Sequence, residues 1–177
     1  MMIQTWRPWI LALVVLLGAL GCSSKEDTSE TLADEPELLD AVRTYLEGTL
    51  MSPQHGGDLF CSFEVMKAEE TGDTSTLYLW TVCIEYTLED GKLLKRSAIS
   101  VPVALTVAGA DQGYTFLSLE RPIDGIEYGE TVRKIFPEDC YPKIFPETRR
   151  EIERYDARAV GLMEHVDRRA RAHFGLE

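Results

Sequence analysis
The sequence predicts an α+β domain: one helix against a four-stranded antiparallel meander sheet, then a short helix and a long C-terminal helix. Three observations carry that reading. Apolar residues recur at helical spacing near residues 38–50 and again from residue 147 onward. Between them lie four segments of alternating, β-rich composition. Short Gly- and Asp-containing turns separate those four, so each strand folds back on the one before it.

The first helix carries Leu38, Leu39, Val42, Tyr45, Leu46 and Leu50 on one face. Asp34 is the expected N-cap and Pro36 suits the first turn. Ser52-Pro53-Gln54-His55-Gly56-Gly57 ends the helix with breakers. The strands are Leu59 to Ala68, Thr76 to Leu88, Leu93 to Val107 and Tyr114 to Leu119. Their turns are Gly72-Asp73, Asp90-Gly91 and Gly109 to Gly113.

A two-residue turn at Asp90-Gly91 puts residue 88 opposite 93. Ile84 then faces Ser97, Val82 faces Ile99 and Trp80 faces Val101. The reverse face of the third strand is small: Ala98, Ser100, Pro102, Ala104 and Thr106. The same logic at Gly72-Asp73 puts Cys61 opposite Ile84, Phe63 opposite Val82 and Val65 opposite Trp80. Cys83 falls on the other face, so this register predicts no Cys61–Cys83 bridge. A bridge from either to Cys140 stays open, since three thiols leave one over.

After the sheet, Pro122 to Gly125 forms a turn, Tyr128 to Phe136 a short helix, and Pro142 and Pro146 bracket a loop. The long helix runs from Glu147 to about Phe174, on Ile152, Tyr155, Ala159, Leu162, Met163, Val166, Ala170 and Phe174. Some 28 residues make it roughly 40 Å long, more than four strands about 4.8 Å apart can cover. The first half is therefore expected to dock, on the small face of Ala98, Ser100 and Ala104. The second half, Val166 to Phe174, is expected to project toward an envelope protein partner. Seven Arg against six acids make this helix nearly neutral.

The chain otherwise carries a formal net charge of −12. Such a surface does not suit nucleic acid, which needs clustered Lys and Arg. It also does not suit anionic lipid headgroups, so a membrane location needs another cause. The N-terminus supplies it. Arg7 precedes the apolar run Trp9 to Leu20, which has the length of a signal-peptide core and is short for a spanning anchor. Ala19-Leu20-Gly21-Cys22 follows. This resembles the lipobox of bacterial lipoproteins, although Ala19 stands where leucine is usual. The resemblance implies cleavage before Cys22 and a thioether-linked lipid on that residue. Ser23, where an Asp would signal inner-membrane retention, implies the outer membrane in a Gram-negative cell. Two or more acyl chains hold a domain stably, at about 0.8 kcal/mol per buried CH₂.

The resulting organisation is a signal peptide at 1–21, an acidic flexible tether at 22–37, an α+β domain at 38–145 and the C-terminal helix at 146–177. A tether of some 13 flexible residues spans about 20 Å.

Tyr78-Leu-Trp80, Tyr86, Asp90-Gly91, Ser100, Pro102-Val-Ala-Leu105, Gly113-Tyr114, Pro122, Asp124-Gly125, Tyr128 and Phe136-Pro137 form a further pattern. It is similar to domains of unknown function in secreted and lipid-anchored bacterial proteins. The order of elements also looks like the cystatin-like cone, a helix cradled by a curved sheet. Neither resemblance implies an activity, and a fold alone assigns none.

Candidate chemistry is sparse. There is no Cys-x-x-Cys and no His-Glu-x-x-His, so no metal set or cofactor is expected. His55, His165 and His173 read as exposed structural residues. Glu69-Glu70, Glu89-Asp90 and Glu138-Asp139 follow from an acid-rich composition. His55-Gly56-Gly57 is similar to an oxyanion-loop motif but lacks a Gly-x-Ser-x-Gly partner. Tyr78, Trp80 and Tyr86 either line a cone-shaped pocket or form core under the first helix. The expected function is a non-enzymatic, lipid-tethered binding or interaction module of the cell envelope. The alternatives are a small-molecule-binding or hydrolytic domain on the concave sheet face, and an envelope assembly lipoprotein acting through its long helix.

Overall fold
The Asp90 and Gly91 turn residues both have positive φ (49° and 73°), as a tight two-residue hairpin requires. The same local chemistry at Gly72 (φ 60°) gives the first hairpin. In the computed structural model, which describes residues 35–110 and 113–176, these turns build the meander that the sequence predicts. The order is helix α1 (Pro36–Thr49), strands β1 (Asp58–Thr71), β2 (Thr74–Glu89), β3 (Lys92–Ala110) and β4 (Gly113–Glu120), then helices α2 (Tyr128–Ile135), α3 (Tyr141–Ile144) and α4 (Arg149–His173). All strand pairs are antiparallel, in the order β1-β2-β3-β4. The expected signal peptide, the lipidation residue Cys22 and the cap at Asp34 lie outside the described residues.

The register departs from expectation for one repeated reason. Each strand pair carries a bulge, and each bulge slips the pairing by one residue. From the first turn, Thr71 faces Thr74 and Lys67 faces Tyr78, as the turn dictates; Met66 is then extra, so Val65 faces Leu79 and Cys61 faces Cys83. The two cysteines are disulfide-bonded, with Cα atoms 4.1 Å apart. This corrects the expectation that they stand on opposite faces. From the second turn, Leu88 faces Leu93 and Tyr86 faces Lys95. Past a bulge on β3, where Arg96 and Ser97 together oppose Glu85, Ile84 faces Ala98, Val82 faces Ser100 and Trp80 faces Pro102. The expected pairs Val82–Ile99 and Trp80–Val101 are displaced accordingly. Leu117 is the extra residue between β3 and β4.

The bulges decide what each face buries. Leu77, Leu79 and Cys83 of β2 join Val101, Val103, Leu105 and Val107 of β3 under Leu38, Val42 and Leu46 of α1. Trp80, Val82, Ile84 and Tyr86 lie on the opposite face with the small residues of β3, under α4. The aromatic face is thus not beneath the first helix, as one of the two expected readings placed it.

Helix α4 begins at a capping box: Thr148 accepts from the Glu151 amide, and Glu151 accepts from the Thr148 amide. It runs lengthwise along β1 and β2. Arg158 approaches Glu64, His165 meets Ser62, Arg169 meets Cys61 and His173 reaches Asp58. Its buried residues are Leu162, Val166 and Ala170, whereas Ile152 and Val160 are 44 % and 50 % exposed. The docked half is therefore the second, the reverse of the expectation. The expectation compared helix length with sheet width. The helix instead follows strands of 14 and 16 residues, which at about 3.3 Å per residue exceed its length.

β1 is an edge strand, and its backbone is covered at Cys61. Glu47 of α1 accepts from the Cys61 amide at 2.8 Å, and Arg169 of α4 donates to the Cys61 carbonyl at 2.9 Å. Arg169 and Glu47 also pair with each other. With its backbone groups turned outward, Cys61 occupies a non-hydrogen-bonded position opposite Cys83, where facing side chains approach most closely.

Candidate functional site
Three places bring chemically competent groups together, and each has a different fate. The first is the Ser52 to Gly57 loop. Strand alternation puts Glu85 on the same face as Cys83, where its carboxylate meets this loop. Oε1 accepts from the amides of His55 (2.7 Å) and Gly57 (3.0 Å); Oε2 accepts from the Gln54 amide (3.0 Å) and the Ser97 hydroxyl (2.6 Å). Burial pushes the carboxyl up, but the Ser97 hydroxyl and the three amides outweigh it and bring it down to about 2. The loop presents three amides to an anion. They are spent on a carboxylate of the same chain. Gly57 makes the closure sterically feasible: a Cβ there would lie 2.3 Å from the Tyr86 carbonyl oxygen.

The second is Ser62 and His165, with Oγ and Nδ1 3.2 Å apart. Burial first, then Arg43, Arg168 and Arg169, hold the imidazole below its ordinary range and therefore neutral. A neutral imidazole beside a hydroxyl is the beginning of a nucleophilic pair. Here Ser62 is 2 % exposed, and no carboxylate among the described residues hydrogen-bonds the ring. The pair ties α4 to β1. Cys140 is likewise unsuited to reaction: it is buried, and burial raises its thiol to about 11.

Of the expected pocket residues, Trp80 and Tyr86 belong to the core layer under α4, and Tyr78 borders it. Trp80 is buried and donates from Nε1 to Ser100 Oγ at 3.1 Å. Tyr86 is buried and donates to Asp167, which also binds Lys95; burial and then Asp167 hold the phenol above its ordinary range. Tyr78 packs against Phe136 and donates to Glu69 at 3.1 Å. None of the three lines the open groove described next. No group of three or more His, Cys, Asp or Glu among the described residues has the geometry to hold a metal ion.

The third place is that groove, of about 620 Å³, between the first half of α4, α3 and β1. Six charged residues line it: Glu64, Asp139, Lys143, Glu151, Arg154 and Arg158. Pro142 and Tyr155 supply apolar wall. Arg158 is its most constrained member. The guanidinium stacks 4.7 Å above the Trp80 ring and 5.1 Å from that of Tyr155. One nitrogen donates to the Lys143 carbonyl at 2.7 Å. Another lies 3.8 Å from Glu64, beyond hydrogen-bond reach, and the buried Nε has no partner. The side chain is only 7 % exposed, and burial lowers its affinity for the proton.

Sequence reasoning missed both Glu85 and Arg158. Glu85 interrupts an apolar run within a strand, which is a signal of a special environment. Arg158 has only Tyr155, one turn before it, as a local hint; its partner Trp80 is 78 positions away in the chain.

No protein-family model, no curated protein and no solved structure matches this chain.

Proposed function
We propose that the chain is a lipid-anchored, extracytoplasmic binding module of the cell envelope, tethered through Cys22 and without catalytic chemistry of its own. The observation that carries the reading is the occupied sheet face. The aromatic layer of Trp80 and Tyr86, where a cone-shaped fold would keep a ligand cavity, is filled by Leu162, Val166 and Ala170 of α4. The competent groups elsewhere are consumed internally, as the Glu85 cradle and the buried Ser62 illustrate. The Cys61–Cys83 disulfide supports the location, because such bonds persist in oxidising compartments. The lipobox-like Gly21-Cys22 supports the anchor. What is left for function is surface, chiefly the groove beside Arg158.

Membrane fractionation of cells expressing the full chain tests the proposal. The wild type is expected in the membrane fraction with a diacylglycerol-modified Cys22 by mass spectrometry. Cys22→Ala is expected to lose the modification and the membrane retention. An unmodified Cys22 in the wild type overturns the anchor.

A further inference from the structure
The groove's charges are unequally committed. Each acid has an internal partner: Asp139 pairs with Lys67 at 2.6 Å, and Glu151 accepts from the amides of Glu147 and Thr148. Glu64 forms a looser ion pair with Arg158, at 3.8 Å and too long for a hydrogen bond. Among the cations, Lys143 is spent on the Met66 carbonyl at 2.7 Å. Arg154 has no hydrogen-bond or ion-pair partner among the described residues, and Arg158 makes a single hydrogen bond there. The surplus donors in the groove therefore belong to two guanidiniums on successive turns of α4.

The buried Arg158 Nε, like that of Arg43, carries a desolvation cost with no hydrogen bond against it. A planar, two-oxygen anion fits a guanidinium fork in a way that a chloride or a hydroxyl does not. Three carboxylates around the rim offset the three cations, which disfavours a multiply charged anion. Tyr155 and Pro142 offer apolar contact to whatever carries the planar anion.

We propose that this groove binds a ligand bearing a single carboxylate on an apolar stem, held by the guanidiniums of Arg158 and Arg154. Such a group is supplied by a small organic acid or by the free C-terminus of a peptide. The assignment rests on the binding-module reading and names the ligand class for it.

Calorimetric titration of the detergent-solubilised full chain tests this with four probes: 3-phenylpropionate, acetyl-phenylalanyl-alanine with a free carboxylate, the same peptide amidated, and inorganic phosphate. Saturable binding of at least one free carboxylate is expected, with none of the amide. Binding of both acids assigns the carboxylate generally; binding of the peptide alone assigns a chain terminus. Arg158→Lys keeps the charge and loses the fork, and is expected to weaken binding about tenfold or more. Arg154→Ala is exposed, so it reports binding without disturbing the fold, and the same direction is expected. Ile152→Ala, outside the groove, is expected to bind as the wild type does. The proposal is overturned if no acid binds, if the amide or phosphate binds as tightly, or if both arginine variants retain wild-type affinity. Membrane retention of these variants is set by Cys22 and stays normal, so a failed titration leaves the anchor reading separately testable.

Discussion

Cys61 and Cys83 stand directly opposite each other on β1 and β2 because one residue, Met66, bulges between them and the turn. Without it, the hairpin would carry Cys61 opposite Ile84. The bulge has its own support, since Lys143 of α3 donates to the Met66 carbonyl.

Peptide mapping under non-reducing conditions is expected to give a linked Cys61–Cys83 peptide and an unpaired Cys140 that reacts with maleimide only on unfolding. The bridge closes a segment with a sequence separation of 22, for which loop entropy gives about 3 kcal/mol. Replacing both cysteines with alanine is expected to lower stability by about that amount in chemical denaturation. A mixed disulfide through Cys140 would contradict the pairing.

Glu85 makes part of the stability depend on acid. Its carboxyl is held at about 2 in the folded chain against an ordinary value of 4.5. A depressed carboxyl stabilises the fold fully above its unfolded value, and that contribution is lost as the pH falls from about 4.5 toward 2. Thermal melts across this window are expected to show the loss, and Glu85→Gln to flatten it while starting from a lower melting temperature at pH 7. An unchanged pH profile in the variant would show that other carboxylates account for the acid sensitivity.

Gly57→Ala is expected to destabilise the fold by about 2 kcal/mol, because the added methyl meets the Tyr86 carbonyl oxygen. Gly48→Ala meets nothing within 4 Å and lies in helix α1, where alanine is the better residue. It is expected to be neutral or stabilising. Paired urea titrations of the two variants separate a specific clash from a general intolerance of substitution.

Along α4, Val166→Ala is expected to cost about 2 kcal/mol, and Ile152→Ala less than about 0.5. Hydrogen exchange should show the same gradient, with amides of 162–172 slower than those of 150–158. A gradient in the opposite direction would restore the view that the C-terminal end is free.

The order of elements was legible in the sequence because turn chemistry is local: Asp90-Gly91 and Gly72-Asp73 sit where the hairpins close. Register was not, and β2 shows why. Residues 79 to 86 of β2 are all buried, so both faces of the strand are core. Alternation fixes register only when one face is wet; here Leu77 and Leu79 serve as well as Tyr78 and Trp80, and a one-residue slip leaves the apolar count intact. The groove was illegible for a related reason. Arg158 looks like any arginine on an amphipathic helix, and only the tertiary fold brings the Trp80 ring beneath it.

The clamp on Cys61 also sets a sequence of events during synthesis. The hairpins join neighbours in the chain and close early, whereas Arg169 reaches the edge of β1 across 108 positions. A chain emerging N-terminus first therefore holds a complete sheet with a bare edge, and an aromatic face covered only by the short helices around Val132 to Ile144, until its last twenty or so residues appear. That interval is when strand-to-strand aggregation is most available to it, and a nascent form shortened before Leu162 would remain in that state permanently.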